Sequence, residues 1–376
     1  MLMNAKLKHR VFPSFQRLLC SWLMVIFYGA RATLKKCFSP LALVFLKAIE
    51  TMNVSNSRTT LLQKIALVCA LLVITIVGIS AFIRLSGAGL GCSPWPQCYG
   101  HISRAEQHGI LQTTSTLAAS NQAIESQSVV SISMARMVHR VLAVLLLPLI
   151  LILVMSAFTM KPEPWKDRWL AAAALMLVLF LAVLGRWTAG VKIPAVVLGN
   201  LLAGFVLFGL CLRMARVGRY TRDRRTLSAG ARLWVGIAIG FVLIQIILGG
   251  MVSGGFAGLS CPTLSSCSLP EAIQWELLNP MRVTNVNAAN WPANVDGVFV
   301  HALHRWASIA AAVTATAGAV FLWRCNRRRT ALILVLLITC QIALGLLLVN
   351  SGLALAVAVL HNLFAALLLA SLISAD

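Results

Sequence analysis

The sequence predicts an all-α, polytopic membrane protein built from eight transmembrane helices. Of its 376 residues, 59% are hydrophobic and only 11% are charged, whereas a soluble domain carries roughly 25% charged residues. Apolar runs of about 20 residues, the length that crosses a bilayer, recur along the chain. This composition excludes a disulfide-rich secreted domain, a disordered chain and an ordinary cytosolic enzyme.

Eight apolar segments are long enough to span a membrane. Lipid offers no hydrogen bonds to a bare backbone, so each segment is expected to be a helix. None of the ten acidic residues falls inside them, which argues against a carboxylate-based ion carrier. We place the spans near residues 62–83, 134–158, 169–190, 194–214, 232–253, 298–323, 331–350 and 352–373.

The distribution of Lys and Arg predicts the orientation of these helices. The chain has 32 basic residues against 10 acidic ones, a net charge of +22. The short loops near 159–168, 213–232 and 324–329 are basic, and such loops stay in the cytoplasm. Both termini are therefore expected inside, with the loops 84–133 and 254–297 outside. In a membrane protein this positive excess reflects topology, so no nucleic-acid partner is expected.

The N-terminal stretch differs from the rest of the chain. Residues 1–61 are predicted to be a basic extension that precedes the first helix, and the 13-residue apolar run 18–30 is too short to span a bilayer. Two interpretations stay open for residues 1–51. They are a targeting-type extension, or they are upstream sequence before a start at Met52.

Two parts of the chain read as copies of one four-helix unit. Residues 62–214 and 232–376 are predicted to be its two copies, joined by the basic linker 215–231. The copies share a Gly-rich helix exit (RLSGAGLGC, 84–92; VSGGFAGLSC, 252–261), a histidine–arginine pair (MVHR, 137–140; LHR, 303–305) and a fourth-helix motif (VLGN, 197–200; VLHN, 359–362). Because the order is the same in both, the fold is predicted to be two parallel-repeat bundles related by a pseudo-two-fold axis along the membrane normal.

Histidines inside the predicted spans are the first candidate site. His304 and His361 lie about two turns from the outer ends of their helices, at similar depths. A polar side chain in hydrocarbon is costly and marks a functional candidate, although any one of them is equally well explained as an interfacial or helix-bonding histidine. Two facing imidazoles in a four-helix bundle can hold haem iron. His139 occupies the same depth in the first copy.

Arg140 and Arg305 each follow one of these histidines. Arginine binds carboxylates in a bidentate manner, so both are candidates for pairing with haem propionates. The alternative is that they snorkel to the outer membrane interface, and the sequence leaves both open. His301, one turn outward from His304, is expected at the interface rather than on a metal.

Four cysteines form two pairs in the outer loops, Cys92 with Cys98 and Cys261 with Cys267, each with five intervening residues. The outer side of the membrane is oxidising, so each pair is predicted to form a disulfide. These bridges are loop staples on one interpretation and redox-active on the other.

Together these features resemble the haem A synthase family of cytochrome oxidase assembly proteins. The resemblance covers about residues 60–373 and rests on the motif RLSGAGLGCSPWPQC, on MVHR, LHR and LHN, and on the repeated cysteine pair. It implies a structural haem b whose iron lies between His304 and His361. It also implies that the first half receives haem O on His139 and oxidises a ring methyl to a formyl group, giving haem A.

The sequence departs from the family pattern at two positions. Family members usually carry a glutamate three residues before the first histidine, where this chain has Arg136, and a histidine in the fourth helix, where it has Gly199 or Asn200. The first half therefore offers one imidazole to a haem, and five-coordinate iron is compatible with oxygen chemistry.

The predicted function is therefore that of a haem-dependent oxidoreductase, a haem A synthase of the bacterial inner membrane. Its implied partners are haem O and haem A, the farnesyltransferase that makes haem O, the cytochrome oxidase assembly pathway, the lipid bilayer and, in an oligomer, further copies of the chain. Three alternatives stay open: a non-catalytic haem-binding assembly factor, a b-type carrier that oxidises quinol, and a small-solute transporter.

Overall fold

A computed structural model of the chain describes residues 57–85, 119–159, 165–187, 193–216, 227–261, 263, 267, 275–283 and 297–375. The chain divides into two units, Met1–Ser57 and Arg58–Asp376. The N-terminal extension up to residue 56, and the predicted Cys92–Cys98 pair, lie outside the described residues.

Eight long helices form the described part of the chain, and each is apolar enough to span a membrane. The prediction of an all-α polytopic protein is confirmed, and seven of the predicted spans match their helices to within five residues at each end. The exception is the span 134–158, whose helix begins at Ala119, within the predicted outer loop 84–133. The bounds are α1 Ser57–Leu85, α2 Ala119–Thr159, α3 Trp165–Trp187, α4 Pro194–Arg216, α5 Ala229–Gly254, α6 Val298–Arg324, α7 Arg328–Asn350 and α8 Leu355–Ile373.

Local chemistry sets several helix ends. The Ser228 hydroxyl accepts a hydrogen bond from the Ala231 N–H at 3.2 Å and caps the start of α5. Both α6 and α7 end in a Schellman turn, in which a residue with left-handed backbone allows two final N–H groups to reach back to the helix carbonyls. These residues are Asn326 (φ 61°) after α6 and Gly352 (φ 58°) after α7.

Small residues are frequent among the buried contacts between helices. The buried stripe of α1 recurs every three or four residues, as one face of a helix must. It runs through Ala66, Ala70, Val73, Val77 and Ala81. Large apolar side chains such as Val144 and Met176 are exposed instead. A surface of this kind suits lipid, because small residues allow close helix packing while large apolar ones face the hydrocarbon.

The packing of α5 to α8 builds the walls of the site. Helix α5 packs on α6, α6 on α7, and α7 on α8, while α8 also contacts α5 and closes the group. Helix α4 contacts both α5 and α8. Leu363 of α8 lies against Gly78 of α1, so α1 also reaches this group of helices.

Candidate functional site

A cavity of about 940 Å³ lies among α5, α6, α7 and α8, with further walls from α1 and α4. This volume is at the upper end of the range for small-molecule and cofactor sites, about 300–1,000 Å³. Most of the lining is apolar, and a few polar side chains converge on it, which is the usual composition of a ligand pocket. Those polar side chains are Arg84, Gln245, Ser253, His301, His304, Arg305, Ser308, Gln341, His361 and Asn362.

His304 and His361 both line this cavity. Each lies six residues from the first residue of its helix, α6 or α8, which corresponds to about 9 Å along the helix axis. The structure therefore brings together the two histidines that the sequence singled out in the second half.

A glutamine contacts each histidine from the preceding helix. Nε2 of Gln245 on α5 lies 3.3 Å from Nε2 of His304, and Nε2 of Gln341 on α7 lies 3.2 Å from Nε2 of His361. A glutamine amide can present either its oxygen or its nitrogen, because the two are assigned from the hydrogen-bond network. With Oε1 turned toward the ring, Nε2–H of each imidazole donates to it and Nδ1 carries no proton, which is the state that a metal-ligating histidine needs.

A glycine one turn further along each of these helices makes room for the ring. A Cβ atom at Gly249 would lie 2.9 Å from Cε1 of His304, and a Cβ atom at Gly345 would lie 3.4 Å from Cε1 of His361. The two helices thus share the pattern Q-I-x-L-G, at 245–249 and 341–345. The glutamine of this pattern contacts the imidazole and its glycine gives the ring space.

Several buried polar atoms around the cavity have no hydrogen-bond partner among the residues that the structure describes. Buried polar atoms are nearly always paired, so such a cluster calls for a group that satisfies it. Two such ring nitrogens in the lining of one cavity fit a metal that takes two imidazole ligands, as haem iron does. The atoms are Nδ1 of His304 and of His361, Oε1 of Gln245 and of Gln341, Nε of Arg84, and Nδ2 of Asn362.

Arg84 reaches this site from the first half of the chain. It was expected at the start of an outer loop, but it lies in the last turn of α1. Its Nη2 donates a 2.9 Å hydrogen bond to Oδ1 of Asn362, the residue that follows His361. Nothing in the local sequence pairs Arg84 with residue 362, so only the tertiary structure reveals this contact.

Arg305 holds the outer loop in place. Its Nη1 donates to the carbonyl of Thr263 at 2.8 Å, and its Nη2 donates to the carbonyl of Cys261 at 2.7 Å. Cys261 and Cys267 form the predicted disulfide. Arg305 therefore fastens the disulfide loop to α6, one residue beyond His304.

His301 also contacts this loop. Its side chain is buried, and Nδ1 donates to the carbonyl of Ala257 at 3.0 Å. The ring is thus engaged with backbone at the outer end of α6, one turn from His304.

The first-half candidates lie elsewhere. His139 and Arg140 are on α2 and do not line the cavity. At Gly199, which matches His361 in the repeat, a Cβ atom would lie 2.9 Å from Cδ2 of Leu184 and 3.6 Å from Cζ of Phe180. Side chains of α3 therefore fill the space where the second half has an imidazole.

Three residues of the second-half site were not predicted from the sequence, namely Gln245, Gln341 and Arg84. The two glutamines had a recognisable pattern, because Q-I-x-L-G occurs once in α5 and once in α7. Leu181 stands in α3 where the repeat places Gln341, so the pattern distinguishes the second half from the first. Arg84 had no comparable pattern.

The fold and the site define a multi-pass membrane protein with an interior two-histidine cavity. The chain belongs to the family described as cytochrome oxidase assembly protein, whose model matches residues 63–373.

Three relatives named Heme A synthase are similar over most of the chain. The protein of Shewanella oneidensis is 33% identical over 334 residues, covering 84% of this chain and 95% of that protein. The protein of Sphingopyxis alaskensis is 28% identical over 325 residues, 80% of this chain and 87% of the relative. The protein of Rhizorhabdus wittichii is 27% identical over 341 residues, 85% and 94% respectively.

Proposed function

We propose that this chain is a haem A synthase, an oxidoreductase that converts haem O to haem A for cytochrome oxidase. The proposal combines the family with relatives that carry this name and align over nearly their whole length. The eight membrane-spanning helices suit an apolar, lipid-soluble substrate. The reaction converts a ring methyl of the substrate to a formyl group, a four-electron oxidation that adds one oxygen atom and therefore needs an external oxidant such as dioxygen.

In the second half, His304 and His361 would hold a haem b. The observation that carries this assignment is the pair of buried Nδ1 atoms without partners among the described residues, on two rings that line one cavity. Gln245 and Gln341 would orient the rings, and Gly249 and Gly345 would give them room. The bound haem would supply one-electron transfer chemistry.

In the first half, His139 would bind the iron of the substrate haem O. Gly199 provides no second imidazole, and Leu184 and Phe180 occupy its surroundings, so one axial position would stay open. An open position allows a small molecule to reach the metal. The role of the chain is to hold and orient the porphyrin so that one methyl is presented, and to exclude water through its apolar helices.

We also propose the bacterial inner membrane as its location, with both termini in the cytoplasm, because basic loops stay inside. Arg213 and Arg216 end α4, and Arg324 ends α6, at the predicted inner surface. A farnesyltransferase that produces haem O would be the enzyme upstream. A homo-oligomer stays a proposal.

A non-catalytic haem-binding assembly factor is the second candidate. Two observations favour it: Arg136 stands where the family usually has glutamate, and α3 side chains fill the space beside Gly199. Both changes affect the first half alone, so this candidate keeps the second-half haem and lacks turnover.

Expression in a host that makes haem O but no haem A separates the two. Membrane haems are extracted and resolved by chromatography, and reduced-minus-oxidised spectra are recorded on the purified protein. Haem A together with a b-type spectrum supports the synthase. A b-type spectrum with unchanged haem O supports the assembly factor, and the absence of any haem contradicts both. The matched variant His139→Ala is expected to abolish haem A while leaving the b-type spectrum.

A further inference from the structure

Arg84 is a half-buried cation whose Nε atom is fully buried, and no carboxylate lies beside it in the described cavity. Its Nη2 donates to Oδ1 of Asn362, but its Nε is buried and has no partner among the residues described. A guanidinium buried away from water is costly unless its donors are satisfied, and a neutral amide satisfies only part of a five-donor group. The unused donor therefore indicates a missing acceptor.

The charge of the cavity points to an anion. Arg84 and Arg305 are the charged residues of its described lining, and no Asp or Glu is among the described residues that line it. In a low-dielectric interior two cations attract an acidic ligand group strongly. A planar guanidinium recognises a carboxylate best, through two parallel N–H···O bonds.

Of the two arginines, Arg84 is the better placed for this role. Arg305 donates from both terminal nitrogens to the carbonyls of Thr263 and Cys261, so it is engaged in holding the disulfide loop. The buried Nε of Arg84 has no acceptor among the described residues. Its described hydrogen-bond partner is Asn362, the residue that follows the candidate ligand His361 in the chain.

We propose that Arg84 binds a carboxylate of the ligand in the second-half cavity, and that the first half thereby contributes a binding residue to the second. This proposal rests on the proposed haem b site, because the porphyrin carries the carboxylates. Asn362 holds the guanidinium in position, and its own Nδ2, buried and unpaired in the described part of the chain, supplies a further donor. Binding at His304 and His361 is thereby linked to the end of α1.

The test compares haem with its dimethyl ester, in which both carboxylates are blocked. Apo-protein in detergent, expressed without haem supply, is titrated with each compound and followed by absorbance. The wild type is expected to bind haem about ten- to a hundredfold more tightly than the ester, since a hydrogen-bonded charge pair stabilises by about 1.5–3 kcal/mol. In Arg84→Gln that preference is expected to fall to a few-fold, and Arg84→Lys should lie between.

Arg213→Gln is the matched control. Arg213 also contacts α8, because its Nη1 donates a 2.8 Å hydrogen bond to the carbonyl of Ile373, but it does not line the cavity. This variant should keep the wild-type preference. If Arg84→Gln is poorly folded by size-exclusion chromatography, Arg84→Lys carries the test.

The outcomes separate the two proposals. An Arg84 variant that distinguishes haem from its ester as strongly as the wild type overturns the role of Arg84 and leaves the haem site intact. A wild-type protein that binds neither compound overturns the proposed haem site itself.

Discussion

Gln341 contacts His361 across the α7–α8 interface, with 3.2 Å between their Nε2 atoms. Gln245 has the same relation to His304 across the interface between α5 and α6. In the second half each candidate ligand therefore lies on α6 or α8, and the glutamine that contacts it lies on the preceding helix, α5 or α7. A partner on one ring nitrogen sets the orientation of the other, so this arrangement supports the proposed role of both rings as metal ligands.

Replacing either candidate ligand should remove the b-type haem. His304→Ala and His361→Ala each remove one of the two imidazoles proposed to hold the haem iron, so the purified variants are expected to lose most of the b-type absorbance in reduced-minus-oxidised spectra. Thr314→Ala on the same helix as His304 is the control, because Thr314 does not line the cavity and its hydroxyl donates to the carbonyl of Ala310, and it should retain the spectrum. Full absorbance in either ligand variant would contradict the assignment.

The glutamines should tune haem affinity without being ligands. Gln341→Leu removes the partner of His361 and is expected to weaken haem binding by about ten- to a hundredfold, the usual effect of losing a residue that supports a metal ligand. The reduction midpoint potential of the residual haem should shift as well, which simple loss of packing would not produce. Gln341→Glu keeps a hydrogen-bonding group and should recover part of the affinity. Unchanged affinity and potential in Gln341→Leu would refute this role.

Alanine substitutions at the glycines beside the histidine rings are expected to lower the haem content to different extents. Gly249→Ala places a methyl group 2.9 Å from Cε1 of His304, whereas Gly345→Ala places one 3.4 Å from Cε1 of His361. Haem content should therefore fall more in Gly249→Ala than in Gly345→Ala. Gly236 and Gly240, also on α5, have open space around a Cβ atom. Alanine there should leave haem content unchanged and favour the helix by up to about 1 kcal/mol. Equal effects at all four positions would argue against a specific contact with the rings.

Cys325 provides a test of topology and of local electrostatics. It follows α6, and a hydrogen bond from the Ser228 hydroxyl, 3.4 Å away, lowers the pKa of its thiol. Ser228→Ala should raise that pKa, so the thiolate fraction at neutral pH falls and maleimide labelling slows, with the rate–pH curve displaced to higher pH.

Peptide mass spectrometry identifies the Cys325 adduct, and Cys325→Ser serves as its blank. If the predicted orientation is right, labelling occurs from the cytoplasmic side of membrane vesicles. Labelling only from the opposite side would reverse the proposed topology. An unchanged rate–pH curve in Ser228→Ala would refute the influence of that hydroxyl.

Much of the helix framework follows from local sequence. The predicted span 298–323 and the helix Val298–Arg324 differ by one residue at the C-terminal end, because the length of an apolar run is a local property. The first span was also close, at 62–83 against Leu61–Leu85. The Cys261–Cys267 bridge could be predicted for the same reason, since its two cysteines are close in sequence.

The residues that surround the histidines could not be predicted as well from the sequence. Gln245 looks like an isolated polar residue in an apolar helix until the structure places it at His304. Arg84 and Asn362 are 278 positions apart and in different halves. In lipid, helix faces of Leu, Val and Ala differ little in hydrophobicity, so the rotation of each helix is decided by close packing rather than by burial from water.

By itself the sequence determined the number of membrane-spanning helices, the basic loops and the candidate histidines. All three follow from the order of apolar and charged residues along the chain. Only the tertiary structure decided that His304 and His361 share a cavity with Arg84, and that Leu184 and Phe180 crowd Gly199. Those relations depend on how each helix is turned toward its neighbours, and that rotation is set by small-residue contacts made between distant parts of the chain.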